Sequence, residues 1–140
     1  MRVLLLSGID SPELLSISED LPKLLPGSTI DRVDRVAGAA ERISIEGRHP
    51  DLLVVVQHAP DEFPRADVAE LFRLAPLARW ICCYGPWCES DGRNRDLWPP
   101  GSRVPFHGFR ARLHREVAVL RGERAPLPLT ASRDEIFEFD

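Results

Sequence analysis

An α/β fold with a doubly wound parallel sheet is predicted by three observations. Leu52-Leu53-Val54-Val55-Val56 is an unbroken apolar run between Pro50 and Pro60, and three of its five residues are β-branched. It reads as a strand buried on both faces, because a half-exposed strand would alternate and five residues between breakers are too few for a helix. Four other short apolar segments alternate with stretches of helical periodicity, an order that implies right-handed crossovers. Five strands in 140 residues then suit one domain with the flavodoxin-like strand order 2-1-3-4-5 and helices on both faces.

Each element has a local reason. Arg2 to Leu6 is the first strand, closed by Ser7-Gly8. Asp10-Ser11-Pro12-Glu13 starts a helix with a capping side chain, a Pro in the first turn and an acid near the positive end. Leu14, Ile17, Leu21 and Leu24 form its apolar face, and Pro22 is expected to kink or restart it before Pro26-Gly27. Thr29 to Val33 is a partly polar edge strand, and Val36, Ala39, Ala40 and Ile43 give a second helix ending near Gly47. Val68, Leu71, Phe72 and Ala75 mark a third helix, and Trp80 to Tyr84 a fourth buried strand.

The stretch from Gly85 to Gly101 breaks the rhythm. Gly85-Pro86, Gly92 and Pro99-Pro100-Gly101 leave the fourth crossover helix degenerate. Arg103 to Phe106 is a short fifth strand whose Pro105 suits a sheet edge. Phe109, Leu113, Val117 and Leu120 then carry the last helix of the sheet, which ends at Gly122. The expected division is residues 1–123 as the folded unit and 124–140 as an extended acidic tail, in which Ile136 to Phe139 could add a strand.

Composition narrows the function. A hydrophobic fraction of 44% and a charged fraction of 29% are those of a water-soluble globular domain. No apolar run is long enough to cross a bilayer or to serve as a signal peptide, so a cytoplasmic location without membrane contact is expected. Three cysteines, two of them adjacent, make no disulfide framework. Most of the formal charge of −4 sits in the tail, where Asp134, Glu135, Glu138 and Asp140 outnumber Arg133. Lys23 is the one lysine among 18 basic residues, a bias that fits a GC-rich genome better than a nucleic-acid surface.

The chain resembles the receiver domain of bacterial response regulators over roughly residues 2 to 122. Pro50-Asp51-Leu52 opening the third strand and Pro60 in the loop behind it look like a receiver's phosphoacceptor strand. Pro105-Phe106 looks like the pair that follows a receiver's lysine. The resemblance implies a metal-binding acid pair after the first strand and an aspartate at the end of the third. It also implies a hydroxyl after the fourth strand and a lysine after the fifth. Those positions fall on Ser7 and Gly8, on Val56, on Tyr84 or Gly85, and on Val104. The implied protein is a degenerate receiver without phosphotransfer or cofactor, a non-enzymatic regulatory module that works by protein contacts, including contacts with a second copy of itself. Trp87, Trp98, Phe106, Arg110 and Arg112 are the candidate contact residues, although two tryptophans on a loop also suit a cap over the sheet.

The alternative is a small-ligand or metal-binding protein, or an enzyme, built on the strand-end residues His58, Tyr84, Cys88 and His107. A zinc set of Cys83, Cys88, His58 and His107 is conceivable, but no C-x-x-C spacing is present and buried cysteines usually serve as small hydrophobes. Neither a nucleophile elbow nor a glycine-rich phosphate loop occurs.

Overall fold

The computed structural model describes residues 1–45, 47, 49–58, 62–85, 98–128 and 131–139. Five parallel strands stand in the order β2-β1-β3-β4-β5: β1 (Arg2–Leu6), β2 (Thr29–Val33), β3 (Leu52–Gln57), β4 (Arg79–Tyr84) and β5 (Arg103–Pro105). This is the predicted α/β architecture and strand order.

All six residues of β3 are buried. Their side chains alternate between two separate cores, as strand geometry demands. Leu53 and Val55 face Val36, Ala39 and Ile43 of α2 (Val36–Ser44) and Val68 and Leu71 of α3 (Arg65–Leu74). Leu52, Val54 and Val56 face Leu14, Ile17 and Leu21 of α1 (Pro12–Leu24) and Phe109, Leu113 and Val117 of α4 (Phe109–Leu120). At about 1.5–3 kcal/mol for each large apolar side chain removed from water, β3 is the largest single source of burial in the sheet. Asp51 aligns its entry, with Oδ2 accepting from the Arg2 amide at 2.8 Å and its carbonyl accepting from the Arg79 amide at 2.9 Å.

Helix α1 begins as predicted, with Ser11 Oγ accepting from the Leu14 amide at 3.0 Å. It runs unbroken through Pro22, against the expected restart. Pro22 is exposed and the carbonyl it cannot reach belongs to half-buried Ser18, so the lost hydrogen bond leaves no sealed orphan. Helix α4 ends where predicted but buries more than its apolar stripe, because Arg112 and Glu116 are also fully enclosed.

The cause is the tail, and here the structure corrects the expected extended segment and added strand. Residues from Ile136 to Phe139 belong to a helix, α5 (Arg133–Phe139). Ser132 and Glu135 form a capping box: the Glu135 amide donates to Ser132 Oγ at 3.2 Å and the Ser132 amide to Glu135 Oε1 at 3.3 Å. Leu127, Ala131 and Phe139 are buried against Val119 and Ile136. Arg79 binds both carboxylate oxygens of Glu116, at 2.6 and 3.1 Å, and donates to the Leu127 carbonyl at 3.1 Å. Arg112 donates to the Gly101 carbonyl at 2.6 Å and lies 5.1 Å from the Phe139 ring centre, while Arg124 lies 4.4 Å from the same ring centre. The tail is therefore packed onto the domain.

Removing one partner of the enclosed Arg79–Glu116 pair leaves a charge without its counterion in a low-dielectric site. Glu116→Ala is expected to lower unfolding free energy by about 3–5 kcal/mol in urea titration. Glu70→Ala, which breaks the solvent-exposed pair with Arg73, is expected to leave the midpoint unchanged.

Candidate functional site

In a doubly wound sheet the loops at the carboxyl ends of the strands gather polar groups, since the helices cover both faces but not that edge. Here the edge brings together Ser7 to Ser11 after β1, Gln57 and His58 at the end of β3, Glu62 before α3, Tyr84 and Gly85 after β4, and Phe106 after β5. Gly85 has a packing role: a Cβ there would lie 3.1 Å from the Phe106 ring, which would have to give by a few tenths of an ångström to admit one. Gly8 is held similarly, 3.2 Å (from the position of a Cβ) to the Asp34 carbonyl and 3.7 Å to Glu62 Oε1.

Two groups close the middle of the edge. Ser7 is fully buried, its amide donating to the Val33 carbonyl and its hydroxyl to the Ile9 carbonyl, both at 3.1 Å. Gln57 is 2% exposed, and its Oε1 accepts from Trp98 Nε1 at 2.8 Å. Trp98 itself is 1% exposed and lies among Phe63, Phe72 and Trp80, with ring centres 6.0, 6.0 and 6.2 Å away. Its ring is enclosed in that aromatic cluster, as a core residue is. Arg112 is likewise turned inward, which corrects its assignment as a contact residue; its guanidinium goes to Gly101 and Phe139. Trp87 and Cys88 lie outside the described residues.

His58 sits in a third group. Its Nε2 is 2.6 Å from Ser11 Oγ, its amide donates to Glu62 Oε2 at 2.7 Å, and its ring centre is 5.6 Å from that of Phe106. His58 Nδ1 lies 3.7 Å from Glu62 Oε1. Both of those atoms are buried, and among the described residues neither has a hydrogen-bond partner. Ser11 and Glu62 were not legible as site residues: one reads as a helix cap, and the other falls in an aperiodic loop whose return toward β3 is set by tertiary structure.

The other strand-end candidates go elsewhere. Tyr84 is half-buried under the Arg103 guanidinium, 4.8 Å from its ring centre. His107 is exposed on a short 3-10 turn and lines a groove of about 410 Å³ between α1 and α4, with Phe106, Arg110, Ile17 and Asp20. Arg110 is ion-paired across that groove to Asp20 at 2.7 Å. Cys83 points into the α1–α4 core and Cys82 into the other, so neither meets His58 or His107. Among the described residues no three His, Cys, Asp or Glu side chains converge as a metal site. Burial pushes the Cys82 thiol up to about 12 and the Cys83 thiol well above its ordinary range, so both stay protonated near neutral pH.

No protein-family model and no curated protein matches the chain. Solved structures do, among them a response regulator and a coiled-coil fusion. A two-component response regulator of the LuxR family from Aurantimonas sp. SI85-9A1 aligns with a TM-score of 0.59 at 18% identity, covering 98% of this chain and 95% of that one. The fold is that of a response-regulator receiver. The second structure is a fusion carrying the yeast Spc42 trimeric coiled coil, amino acids 181–211, with a TM-score of 0.62 at 12% identity over 87% of this chain and 82% of that chain. A coiled coil that short cannot supply so long an alignment, so the likeness lies in what it is fused to. Within the receiver fold, then, this chain's carboxyl edge holds Ser7, Gly8, Gln57, His58 and Glu62, with Trp98 sealing the β3 end.

Two outcomes follow from these contacts. Trp98→Phe keeps most of the ring but removes the Nε1–H that Gln57 Oε1 accepts, and is expected to cost about 1–3 kcal/mol in chemical unfolding. Thiol alkylation near pH 8, mapped by peptide mass spectrometry, is expected to leave Cys82 and Cys83 unmodified in the native protein and to modify both in urea. As their folded-state values are raised above the unfolded one, they favour the native state below the unfolded thiol's value, and stability falls as pH rises from there toward the folded value.

Proposed function

We propose that this protein is a receiver-fold regulatory module that has given up aspartyl phosphotransfer and acts through protein contacts. The observation that supports this most is the end of β3. The position that corresponds to a phosphoacceptor is Val56, whose side chain is wholly enclosed in the α1–α4 core, and the next residue, Gln57, is tied to Trp98. An amide cannot take part in acyl-phosphate chemistry as a carboxylate does, and this one is already engaged. The acid-pair positions are Ser7 and Gly8, the hydroxyl position is Tyr84 or Gly85, and the lysine position is Val104, 5% exposed.

Contact with a protein partner then falls to the α1–α4 groove. Phe106 and Arg110, two of the residues picked out in the sequence, line it together with His107 and Asp20. Its mixed apolar and charged lining suits a peptide or helix surface better than a nucleic acid. Residues 1–123 form the receiver-like unit of this proposal, with 124–140 as an appendage folded on it.

Beryllofluoride with Mg²⁺ mimics an aspartyl phosphate, and Trp98 lies close enough to the β3 end to report its binding. Titration is expected to leave tryptophan fluorescence unchanged, and acetyl phosphate to add no mass to the protein. A saturable fluorescence change, or a hydroxylamine-labile phosphoryl adduct on a carboxylate, would sink the proposal.

A further inference from the structure

The His58 group plays no part in that binding role. Ser11 Oγ already accepts from the Leu14 amide, so the contact with His58 Nε2 at 2.6 Å is the natural place for the hydroxyl's own proton. The reverse arrangement, with Nε2–H donating to Ser11, would aim the Nδ1 lone pair at the carboxylate of Glu62. That side chain is only 8% exposed and its Oε1 is 3.7 Å away. Two lone pairs facing each other in a buried site repel, whereas Nδ1–H facing a carboxylate attracts. Electrostatics therefore selects the tautomer in which Ser11 donates to His58 and His58 Nδ1–H points at Glu62. The two unpartnered buried atoms are then each other's complement, 3.7 Å apart.

We propose that Ser11, His58 and Glu62 form a nucleophilic relay that hydrolyses a small ester with a short apolar acyl group. The inference is independent of the binding role. Ser11 Oγ bonds to the ester carbonyl carbon as its proton passes to His58 Nε2. The bond to the alkoxy group breaks and the leaving alkoxide takes that proton from His58. Water then attacks the acyl-Ser11 carbonyl by the same route, releasing the carboxylic acid and restoring the hydroxyl. Glu62 steadies the imidazolium and holds the tautomer, the division of labour in serine hydrolases. Ser11 also caps α1, which places the helix's positive end beside the developing oxyanion.

The substrate class comes from the surroundings. A groove of about 540 Å³ opens at Ser11, lined by Pro12, Leu14, Leu15 and Ser18, with Asp10 and Arg32 paired at its rim. Leu15 is 60% exposed, an apolar surface without cover in this structure on which an acyl chain can lie. The volume fits a small molecule, and the pairing of Arg32 with Asp10 offers no preference for an anionic acyl group.

The test is labelling of the full chain with an alkyl fluorophosphonate, read by intact mass and peptide mapping, beside hydrolysis of p-nitrophenyl butyrate. One adduct on Ser11 is expected, and Ser11→Asp, which keeps an oxygen cap on α1, is expected to show none and to lose the hydrolysis above background. His58→Gln is expected to slow labelling at least a hundredfold and Glu62→Gln at least tenfold, with thermal melting close to that of the parent. An unlabelled parent protein, an adduct mapped elsewhere, or a well-folded His58→Gln variant that labels at the parent rate overturns the relay. None of these outcomes bears on the α1–α4 groove.

Discussion

The burial of β3 on both faces is the constraint on which the rest of the molecule depends. A strand of six enclosed residues must have partners on each side and a helical layer above and below, or its apolar surface stays wet. β1 and β4 satisfy the ladder, α2 and α3 cover Leu53 and Val55, and α1 and α4 cover Leu52, Val54 and Val56. Because α1 to α4 lie on the faces, the carboxyl edge is left to the loops. The polar residues that follow each strand, Ser7, His58 and Tyr84 among them, meet there as a consequence of the core.

At that edge two kinds of closure coexist. The β3 end is closed by a neutral hydrogen bond between Gln57 and Trp98 inside an aromatic cluster. A short distance away, His58 and Glu62 carry polar atoms that are enclosed yet unmatched, which is costly unless something is done with them. The first arrangement fixes the end of β3 against the aromatic cluster. The second sets His58 beside the Ser11 cap of α1.

The tail shows how charge is accommodated when a small domain folds an appendage onto itself. Glu116 and Arg112 project from the same helix face as the apolar stripe, and neither could be enclosed alone. Arg79 from β4 neutralises the first and the Gly101 carbonyl with the Phe139 ring receives the second. Leu127 and α5 then complete the cover. The tail thus covers the buried charges of α4 and is tied through the Leu127 carbonyl to Arg79 at the start of β4.

The sequence by itself determined the sheet, its strand order, and nearly every element boundary, because these rest on local pattern: the β3 run, the Ser11 cap, and the heptad-like recurrence from Phe109 to Leu120. It also marked Val56 as an apolar residue near the end of β3. Tertiary structure decided the rest. Trp98 is a core residue and not a contact because Gln57, far away in sequence, supplies an acceptor for its indole. Ile136 to Phe139 are helical because a capping box and a waiting apolar surface outweigh the strand preference of aromatic and β-branched residues. Ser11, His58 and Glu62 meet because two separate strand–helix connections, β1–α1 and β3–α3, end at one edge, a juxtaposition that only the folded chain creates.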